Sequence, residues 1–390
     1  MMSKSVDVLV VGGGVVGLTA AAGMASRGFK TAVMDAGSLK RASQNKNTRV
    51  YAINGASQAL LRRLGVWTLL EPNIISPYQQ MHIWDASNHA EMTFDARDAA
   101  QAELGVILEE RSLRAPLLKR VEALGVQLIS DTRVTACVED MSGMCVTDDD
   151  GRSWHAKLLV VADGALSNTR ELLNVSMTTW PYDHEALVAT VQTEKPHQAT
   201  AYQVFTSDGP LAFLPLPDPH QCSIVWSQPP ERTQALLALE NNDFDSALTQ
   251  AFENQLGAVK VLSTRFSFPL HMRHVQQYRG SAWLLMGDAA HTIHPLAGLG
   301  LNVGLADITS WLTLLDQQGG GVWSERILAA YQRERKYEVW SVIALMQSIK
   351  AMFGTSLAPV DALRGLGLRA LNRCSPLKRL LVEYASGGFK

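Results

Sequence analysis

The chain opens with a continuous apolar run rather than an alternating one. Residues 8–11 are Val, Leu, Val and Val, which is typical of a parallel strand buried on both faces. Residues 17–28 carry apolar side chains at helical density and end in glycine, as a helix with a glycine at its carboxyl end does. A second apolar run at residues 31–34 ends in Asp35. The opening segment is therefore predicted to be strand, glycine turn, helix, strand.

Buried strands and amphipathic helices continue to alternate after Asp35. The pattern predicts helices at residues 56–64 and 109–124, and strands at residues 126–129, 133–139, 144–148 and 158–162. Alternation of this kind favours an α/β fold.

The residue pattern changes between residues 186 and 269, where short β-like runs are separated by proline-containing turns. This segment is the best candidate for a separate sheet domain. Its predicted elements are strands at residues 187–191, 202–205, 212–215 and 223–226 and a helix at residues 243–256. A buried strand predicted at residues 283–287 then returns to the pattern of the first part of the chain. The rest of the chain is mainly helical.

This order predicts a nucleotide-binding α/β domain that is interrupted by a β-rich domain and followed by a helical tail. The predicted ranges are 1–75, 100–176 and 270–330 for the first domain, 76–99 and 177–269 for the second, and 331–390 for the tail.

Composition restricts the class of protein and its compartment. The 390 residues are 47% hydrophobic and 18% charged, which fits a globular protein of two or three domains. The net charge of −2 gives no electrostatic case for nucleic acid. The four cysteines lie scattered, which argues for a reducing compartment and against a disulfide framework or structural zinc. The apolar run at residues 6–16 is too short to span a bilayer, so a cytoplasmic protein is expected, with peripheral attachment to the inner membrane left open.

Residues 12–17 read G-G-G-V-V-G and lie between the first predicted strand and helix. In such a motif Gly12 permits a tight turn, Gly14 lets the backbone approach a pyrophosphate, and Gly17 allows close packing of helix on strand. The pyrophosphate then lies at the amino end of the helix. Asp35 ends the next strand, where a carboxylate can accept hydrogen bonds from ribose. The motif predicts a dinucleotide but does not separate FAD from NAD.

Residues 287–302 read G-D-A-A-H-T-I-H-P-L-A-G-L-G-L-N. This segment resembles the G-D-A-A-H…P…G-x-G-x-N signature of the FAD-dependent aromatic hydroxylases. Asp288 follows a strand and can accept hydrogen bonds from a ribityl chain. A loop at residues 295–300 would lie against the flavin ring, and a helix starting near Leu301 would direct its N–H groups at the ring's N1–C2=O edge.

A third segment, residues 160–170, reads V-V-A-D-G-A-L-S-N-T-R. It resembles the Asp-Gly motif of the same enzymes, in which one aspartate serves both flavin and NAD(P)H binding. Asp163 and Gly164 would form a polar corner that faces the dinucleotide.

The resemblance covers most of the chain and is closer to the hydroxylases of ubiquinone biosynthesis. The segments that carry it are residues 49–53, 64–67, 205–216 and 288–302. It implies a p-hydroxybenzoate-hydroxylase-like fold, with a Rossmann-like FAD-binding domain interrupted by the β-rich substrate domain. Two positions depart from the family pattern: Leu299 replaces a glutamine or other polar residue, and Glu110 replaces Asn, Gln or Arg.

The resemblance also implies site residues. Catalytic roles fall on His294, Pro295 and Gly298. Cofactor contacts fall on Gly12, Gly14, Val15, Val16, Gly17, Asp35, Arg49, Arg111, Val134, Asp163, Gly164, Gly287, Asp288, Pro295, Gly298, Gly300, Leu301 and Asn302. His291 is expected to order its loop; because no third ligand accompanies His291 and His294 at a recognisable spacing, no metal site is predicted.

The function implied is that of an FAD-dependent monooxygenase. NAD(P)H would reduce the flavin transiently, dioxygen would form a C4a-hydroperoxide, and oxygen would pass to the ring of a polyprenylated phenol or quinol precursor of ubiquinone. Partners would be the phenol, dioxygen and a second copy of the chain, with membrane lipid or other quinone-biosynthesis proteins left open. Two alternatives remain: a same-fold flavin enzyme with another substrate, or a catalytically weak flavoprotein subunit of a quinone-biosynthesis assembly, to which Leu299 lends weight.

Overall fold

The computed structural model describes residues 4–39, 50–88, 90–293, 300–319 and 323–353. The strands in these ranges are β1 (Lys4–Val11), β2 (Thr31–Met34), β3 (Val50–Asn54), β4 (Ser76–Tyr78), β5 (Gln80–Asp85), β6 (Glu91–Asp95), β7 (Gly105–Glu109), β8 (Gln127–Ile129), β9 (Val134–Asp140), β10 (Gly143–Asp148), β11 (Ser153–Val161), β12 (Met177–Thr193), β13 (Thr200–Thr206), β14 (Gly209–Pro215), β15 (Gln221–Gln228), β16 (Val259–Val261), β17 (Phe266–Val275), β18 (Trp283–Leu285) and β19 (His291–Thr292). The helices are α1 (Val15–Ala25), α2 (Gly55–Arg63), α3 (Glu110–Ala123), α4 (Asn168–Leu172), α5 (Pro230–Ala238), α6 (Asn241–Ala251), α7 (Gly300–Gln317) and α8 (Glu325–Phe353).

The first sheet contains the opening strand of the chain at its centre. Its strands run in the order β8-β2-β1-β11-β10-β9, and β18 also pairs with β11. The pairs β8–β2, β2–β1, β1–β11 and β11–β18 are parallel, whereas β10 pairs antiparallel with both β9 and β11. Val8, Leu9 and Val10 are fully buried, because helices and loops cover both faces of a parallel sheet. The carboxyl ends of β1, β11 and β18 therefore meet at one edge.

The second sheet supplies the other large layer. Its strands run in the order β19-β17-β12-β15-β14-β13-β5-β6, with β16 beside β12. Its pairs are antiparallel except for β13 with β5. Side chains on a strand alternate between faces, and here one face packs on α5 and α6. Phe213 of that face stacks on Phe252 with ring centroids 3.7 Å apart.

The opposite face of the second sheet is turned toward the first sheet. Val188, Ala212 and Val225 are sequence neighbours of residues that pack on α5 and α6, so they point the other way and line a cavity. A small sheet, ordered β3-β7-β4, lies between the two layers.

The α/β fold class predicted from the sequence is confirmed, and all the strands predicted in the β-rich segment are present. Four elements of this segment differ from prediction: helix α5 and strands β16 and β17 were not expected, and α6 ends at Ala251 rather than at residue 256. The predicted domain boundary between residues 269 and 270 falls inside β17, and β19 also joins the second sheet. A change in the residue pattern along the chain does not predict strand pairing, because pairing joins residues that are far apart in sequence.

The helical tail is described as far as Phe353. Across the described residues, every helix is too short or too polar to cross a bilayer.

Candidate active site

The first glycine motif forms the turn between β1 and α1. Gly12 has a φ of +112°, and a Cβ there would lie 2.3 Å from the carbonyl oxygen of Ala162. A Cβ on Gly17 would lie 2.0 Å from the carbonyl oxygen of Gly12. By contrast, a Cβ on Gly14 would meet no atom within 4 Å. Packing therefore requires glycine at positions 12 and 17, whereas Gly14 leaves open space at the amino end of α1.

The conformation of this turn is held by two polar side chains. The Asp35 carboxylate accepts hydrogen bonds from the backbone N–H of Gly13 at 2.5 Å and of Gly37 at 2.7 Å. Arg114 donates from Nε to the carbonyl oxygen of Gly13 and from Nη2 to that of Ser38, each at 3.1 Å. In this structure Asp35 therefore fixes the glycine turn, and its predicted contact with ribose remains a prediction.

The second motif begins directly after β18. Gly287 has a φ of +59°, and residues Gly287–Ala289 form a single 3₁₀ turn. A Cβ on Gly304 of α7 would lie 2.9 Å from Val16 Cγ2 and 3.2 Å from Gly287 Cα. Close packing of α1, this turn and α7 thus brings Asp288 beside the amino ends of both helices.

A buried carboxylate on α7 forms hydrogen bonds that support the turn of the second motif. Asp307 is fully buried, and its Oδ2 accepts a hydrogen bond from the N–H of Gly287 at 2.8 Å and lies 2.8 Å from His291 Nε2. Its Oδ1 accepts one from Arg335 Nε of α8 at 2.6 Å. Burial alone would raise the pKa of Asp307, but His291, Arg335 and the Gly287 N–H more than offset this and lower it. The contact ties His291 to α7, and its expected role in ordering the loop stays a prediction.

The third motif forms the corner between β11 and α4. Gly164 has a φ of +89°, and the Asp163 carboxylate accepts hydrogen bonds from Ser167 Oγ and from the N–H of Thr169. Arg170 is almost fully buried and donates from Nη1 to the carbonyl oxygen of Ala289 at 3.2 Å. Burial lowers the pKa of the Arg170 guanidinium. The aspartate therefore caps α4, and Arg170 ties the third motif to the second.

A cavity of about 580 Å³ brings the three motifs together. On the side of the first sheet it is lined by Gly14, Val15, Val16, Ala162, Gly164, Ala165, Leu166, Gly287, Asp288, Gly300 and Leu301. On the side of the second sheet it is lined by Val188, Gln203, Pro210, Ala212, Leu214, Val225, Ser227, Phe268, Pro269, Leu270, His271, Arg273, Thr292 and Ile293. Val50, Tyr51 and Glu110 also contribute to its lining.

The glycine-lined side of the cavity fits a flavin dinucleotide. Two helices, α1 and α7, begin at it, and helix amino ends carry free N–H groups and favour anionic groups. The residue preceding α1 has no side chain to cap these N–H groups. A Cβ on Gly300 would meet no atom within 4 Å, as at Gly14, so a planar ring or a pyrophosphate could approach the backbone at both places. Asp288 is exposed and lines the same cavity.

Seven of the predicted cofactor residues that the structure describes are not among those that line the cavity: Gly12, Gly17, Asp35, Arg111, Val134, Asp163 and Asn302. The Arg111 side chain is 67% exposed and pairs with Glu109. Val134 is buried, and its carbonyl oxygen accepts a hydrogen bond from Asn168 Nδ2 at 2.8 Å. The Asn302 side chain joins α7 to β3 and α2 through Ala52 O, Asn54 N and Ser57 Oγ, at 2.6, 3.1 and 2.8 Å respectively. Only the backbone of Asn302 is therefore left to meet a cofactor.

The remaining predicted residues lie outside the described residues. These are Arg49, His294, Pro295 and Gly298, together with the unusual Leu299. The structure therefore leaves the proposed catalytic residues as predictions.

Sequence reasoning missed two residues that shape the site. Arg114 lies one helical turn after Glu110 and shares its face of α3, whereas Arg111 projects from a different face. The spacing of four from the cavity-lining Glu110 could have identified it. Asp307 stands in an otherwise apolar stretch of α7, and a carboxylate placed there needs a buried partner. The sequence therefore indicated that Asp307 has a buried partner, but it did not reveal that the partner is Arg335.

The comparisons with known proteins agree with this geometry. A family model described as "FAD binding domain" matches residues 5–345. The chain belongs to this FAD-binding family. Ubiquinone hydroxylase UbiL of Rhodospirillum rubrum is 33% identical, with 99% of this chain and 91% of that protein covered. The 3-demethoxyubiquinol 3-hydroxylase of Escherichia coli is also 33% identical, with 99% and 100% covered.

A solved structure supports the fold of this FAD-binding family member. PqsL of Pseudomonas aeruginosa, in complex with 2-aminobenzoylacetate, has a TM-score of 0.80 at 21% identity and covers 94% of this chain and 100% of that one. The predicted family, fold class and FAD are confirmed, as is the class of enzyme, an FAD-dependent hydroxylase.

Proposed function

We propose that this protein hydroxylates the aromatic ring of a polyprenylated phenol in ubiquinone biosynthesis. The observation that carries the proposal is the two-sided cavity. One side presents glycines and two helix amino ends, and the other presents an apolar sheet face. The names of the two bacterial relatives support a quinone precursor as the substrate.

The apolar side suits a ring that carries a hydrocarbon chain. Val188, Ala212, Leu214, Val225 and Phe268 of the second sheet supply most of this surface, and apolar contacts gain free energy as water is excluded. A wall of this kind also keeps water from the reacting centre. Leu166 lines the same cavity and is 83% exposed, which provides an apolar approach from solvent for a hydrophobic tail.

Bound FAD would supply the oxygen chemistry, since flavins activate dioxygen after reduction. The chain's own groups bind and orient. Asp288 would accept hydrogen bonds from the ribityl hydroxyls, and the N–H groups at the start of α7 would stabilise negative charge on the ring. Asp307 would hold the Gly287 turn in place through the hydrogen bond from its N–H.

The reductant and the assembly belong to the same proposal. NAD(P)H would bind transiently, and the protein would form a homo-oligomer and lie at the inner membrane, where a polyprenyl substrate resides. A change of sedimentation with protein concentration would test whether the protein forms a homo-oligomer. Co-sedimentation with vesicles of anionic phospholipid would test whether it lies at the membrane.

The activity test uses the FAD-loaded protein with NADH or NADPH and a phenol that carries one prenyl group. We expect nicotinamide oxidation coupled to a product heavier by one oxygen in the mass spectrum. Nicotinamide oxidation that yields only hydrogen peroxide with every phenol offered would contradict the proposal. Bound flavin that neither nicotinamide reduces would instead favour the catalytically weak subunit.

A further inference from the structure

Two residues of the cavity wall each carry a buried polar atom that has no hydrogen-bond partner among the described residues. The atoms are Nδ1 of His271 on β17 and Oγ1 of Thr292 on β19. Leaving a buried polar group unpaired destabilises the folded state, so such groups are rare in folded proteins unless a ligand pairs with them. Both atoms belong to residues that line the cavity, in a wall that is otherwise mainly apolar.

Strand register places a cation between these two residues. Arg273 is directly opposite Thr292 in the antiparallel pair of β17 with β19. His271 precedes Arg273 by two residues on the same strand, so both side chains project from one face about 7 Å apart. All three residues line the cavity.

The guanidinium of Arg273 has no carboxylate partner among the residues that the structure describes. Its contact is with the carbonyl oxygen of Ala165, at 3.5 Å from Nη1, and Arg170 Nη1 donates to the same oxygen at 3.4 Å. Two guanidinium groups therefore converge on one point of the wall. Burial and, to a smaller extent, the charge of Arg273 lower the pKa of Arg170, whereas Asp163 and Glu171 raise it. The two guanidinium groups at this carbonyl oxygen favour an anionic ligand beside them.

We propose that His271, Arg273 and Thr292 form the subsite that binds the ring oxygen of the phenol as a phenolate. The inference rests on the proposed function and assigns the polar end of its substrate. The phenol O–H bond breaks, its proton passes to Nδ1 of His271, and the negative oxygen is held by Arg273 and by the hydroxyl of Thr292. The charge left on the ring makes its carbons more electron-rich, as oxygen transfer to the ring requires.

The test measures binding, so that it does not depend on turnover. FAD-loaded protein is dialysed to equilibrium against 2-prenylphenol and, separately, against its methyl ether, which cannot ionise. Wild-type protein should bind the phenol more tightly than the ether. In Arg273→Gln the affinity for the phenol should fall about ten- to hundred-fold, the usual effect of losing a hydrogen bond to a charged group, while the affinity for the ether changes less than about twofold.

Companion variants separate charge from shape. Arg273→Lys retains the charge and should restore part of the preference for the phenol. Thr292→Val and His271→Asn should each weaken phenol binding without changing binding of the ether. Arg232→Gln removes an exposed cation on α5 and should leave both affinities unchanged. Flavin absorbance of each variant reports whether FAD is retained.

The outcomes distinguish this inference from the proposed function. A wild-type protein that hydroxylates 2-prenylphenol, with the phenol preference unaltered in Arg273→Gln and His271→Asn, overturns the phenolate subsite alone. An increased KM for NAD(P)H in Arg273→Gln, with phenol affinity unchanged, also overturns it by assigning the guanidinium to the nicotinamide cofactor. A wild-type protein that binds neither compound and forms no product contradicts both.

Discussion

Gly14 and Gly17 belong to the same six-residue turn, but their surroundings give them different roles. Gly14→Val places a side chain in open space, so we expect a protein that folds normally but loses FAD. Gly17→Ala places a Cβ 2.0 Å from the carbonyl oxygen of Gly12, so we expect lower stability, by about 1–3 kcal/mol for overpacking of this kind. Flavin absorbance and urea unfolding measure the two effects. Stoichiometric FAD in Gly14→Val would show that the pyrophosphate lies elsewhere.

His274 gives a prediction for the effect of pH on stability. The side chain is fully buried between Tyr278 and Trp340, and in the described part of the chain neither ring nitrogen has a hydrogen-bond partner. Burial, together with smaller effects of the nearby His291 and Lys336, lowers its pKa from 6.5 to about 4. Between these pH values the unfolded chain binds more protons than the folded one, so stability falls as the pH falls from 6.5 to 4.

The substitution His274→Phe removes this group and keeps an aromatic ring in the same packing. We expect the free energy of unfolding of the variant to decrease less than that of the wild type between pH 6.5 and 4, by on the order of 2 kcal/mol. Urea unfolding of the FAD-loaded proteins at the two pH values measures the difference. Equal losses in both proteins would mean that His274 is not the titrating group.

At the scale of single residues, the sequence predicted the backbone roles better than the side-chain roles. The backbone of the glycine motif needs glycine at fixed positions, so the roles of Gly12 and Gly17 could be assigned from their spacing. Which face of α3 meets the glycine turn depends on tertiary packing, so the sequence did not reveal Arg114 as the residue that bonds the turn. The predicted cofactor contact of Arg111 stays a prediction. The polar partners of Asn302 are likewise remote along the chain.

At the scale of elements, the contact of α7 with α8 supports the second motif. Asp307→Asn and Arg335→Met each break a buried ion pair and leave the remaining charge with its second partner only, Glu338 for Arg335 and His291 for Asp307. Each should therefore cost up to about 3–5 kcal/mol of stability. The double variant should cost less than the sum of the two, by about 1–3 kcal/mol, because the residues interact directly. Urea unfolding gives the coupling, and FAD titration should detect weaker binding in Asp307→Asn because Gly287 loses its acceptor. Additive stability losses would exclude the proposed support.

The elements that the sequence predicted share one property, a local pattern strong enough to be recognised without neighbours. Buried runs such as that of β1 and β11 are continuous, and the strands of the second sheet are bounded by turn residues. Helix α5 begins with a proline and has few buried side chains, so its pattern is weak. Sheet order and the parallel pairing of β13 with β5 depend on contacts between distant residues, which no local pattern reports.

At the scale of the whole molecule, the cavity lies between two sheets. The sequence predicted them as separate domains but did not predict how they pack on each other. The glycine-lined side of the cavity was predicted from three motifs, whereas its sheet side was not, since alternate residues of strands β12, β14 and β15 must be assigned to one face or the other. The polar group formed by His271, Arg273 and Thr292 arises from the pairing of β17 with β19, two strands that the sequence did not predict.

The central claim is that FAD in this cavity directs an oxygen atom from dioxygen to a phenol. The most direct measurement supplies FAD-loaded protein with NAD(P)H and 2-prenylphenol under oxygen-18 gas and determines the mass of the product. The account predicts one labelled oxygen atom in a hydroxylated ring, and no product from Gly14→Val. A product whose new oxygen comes from water, or the same labelled product from protein without FAD, would contradict it.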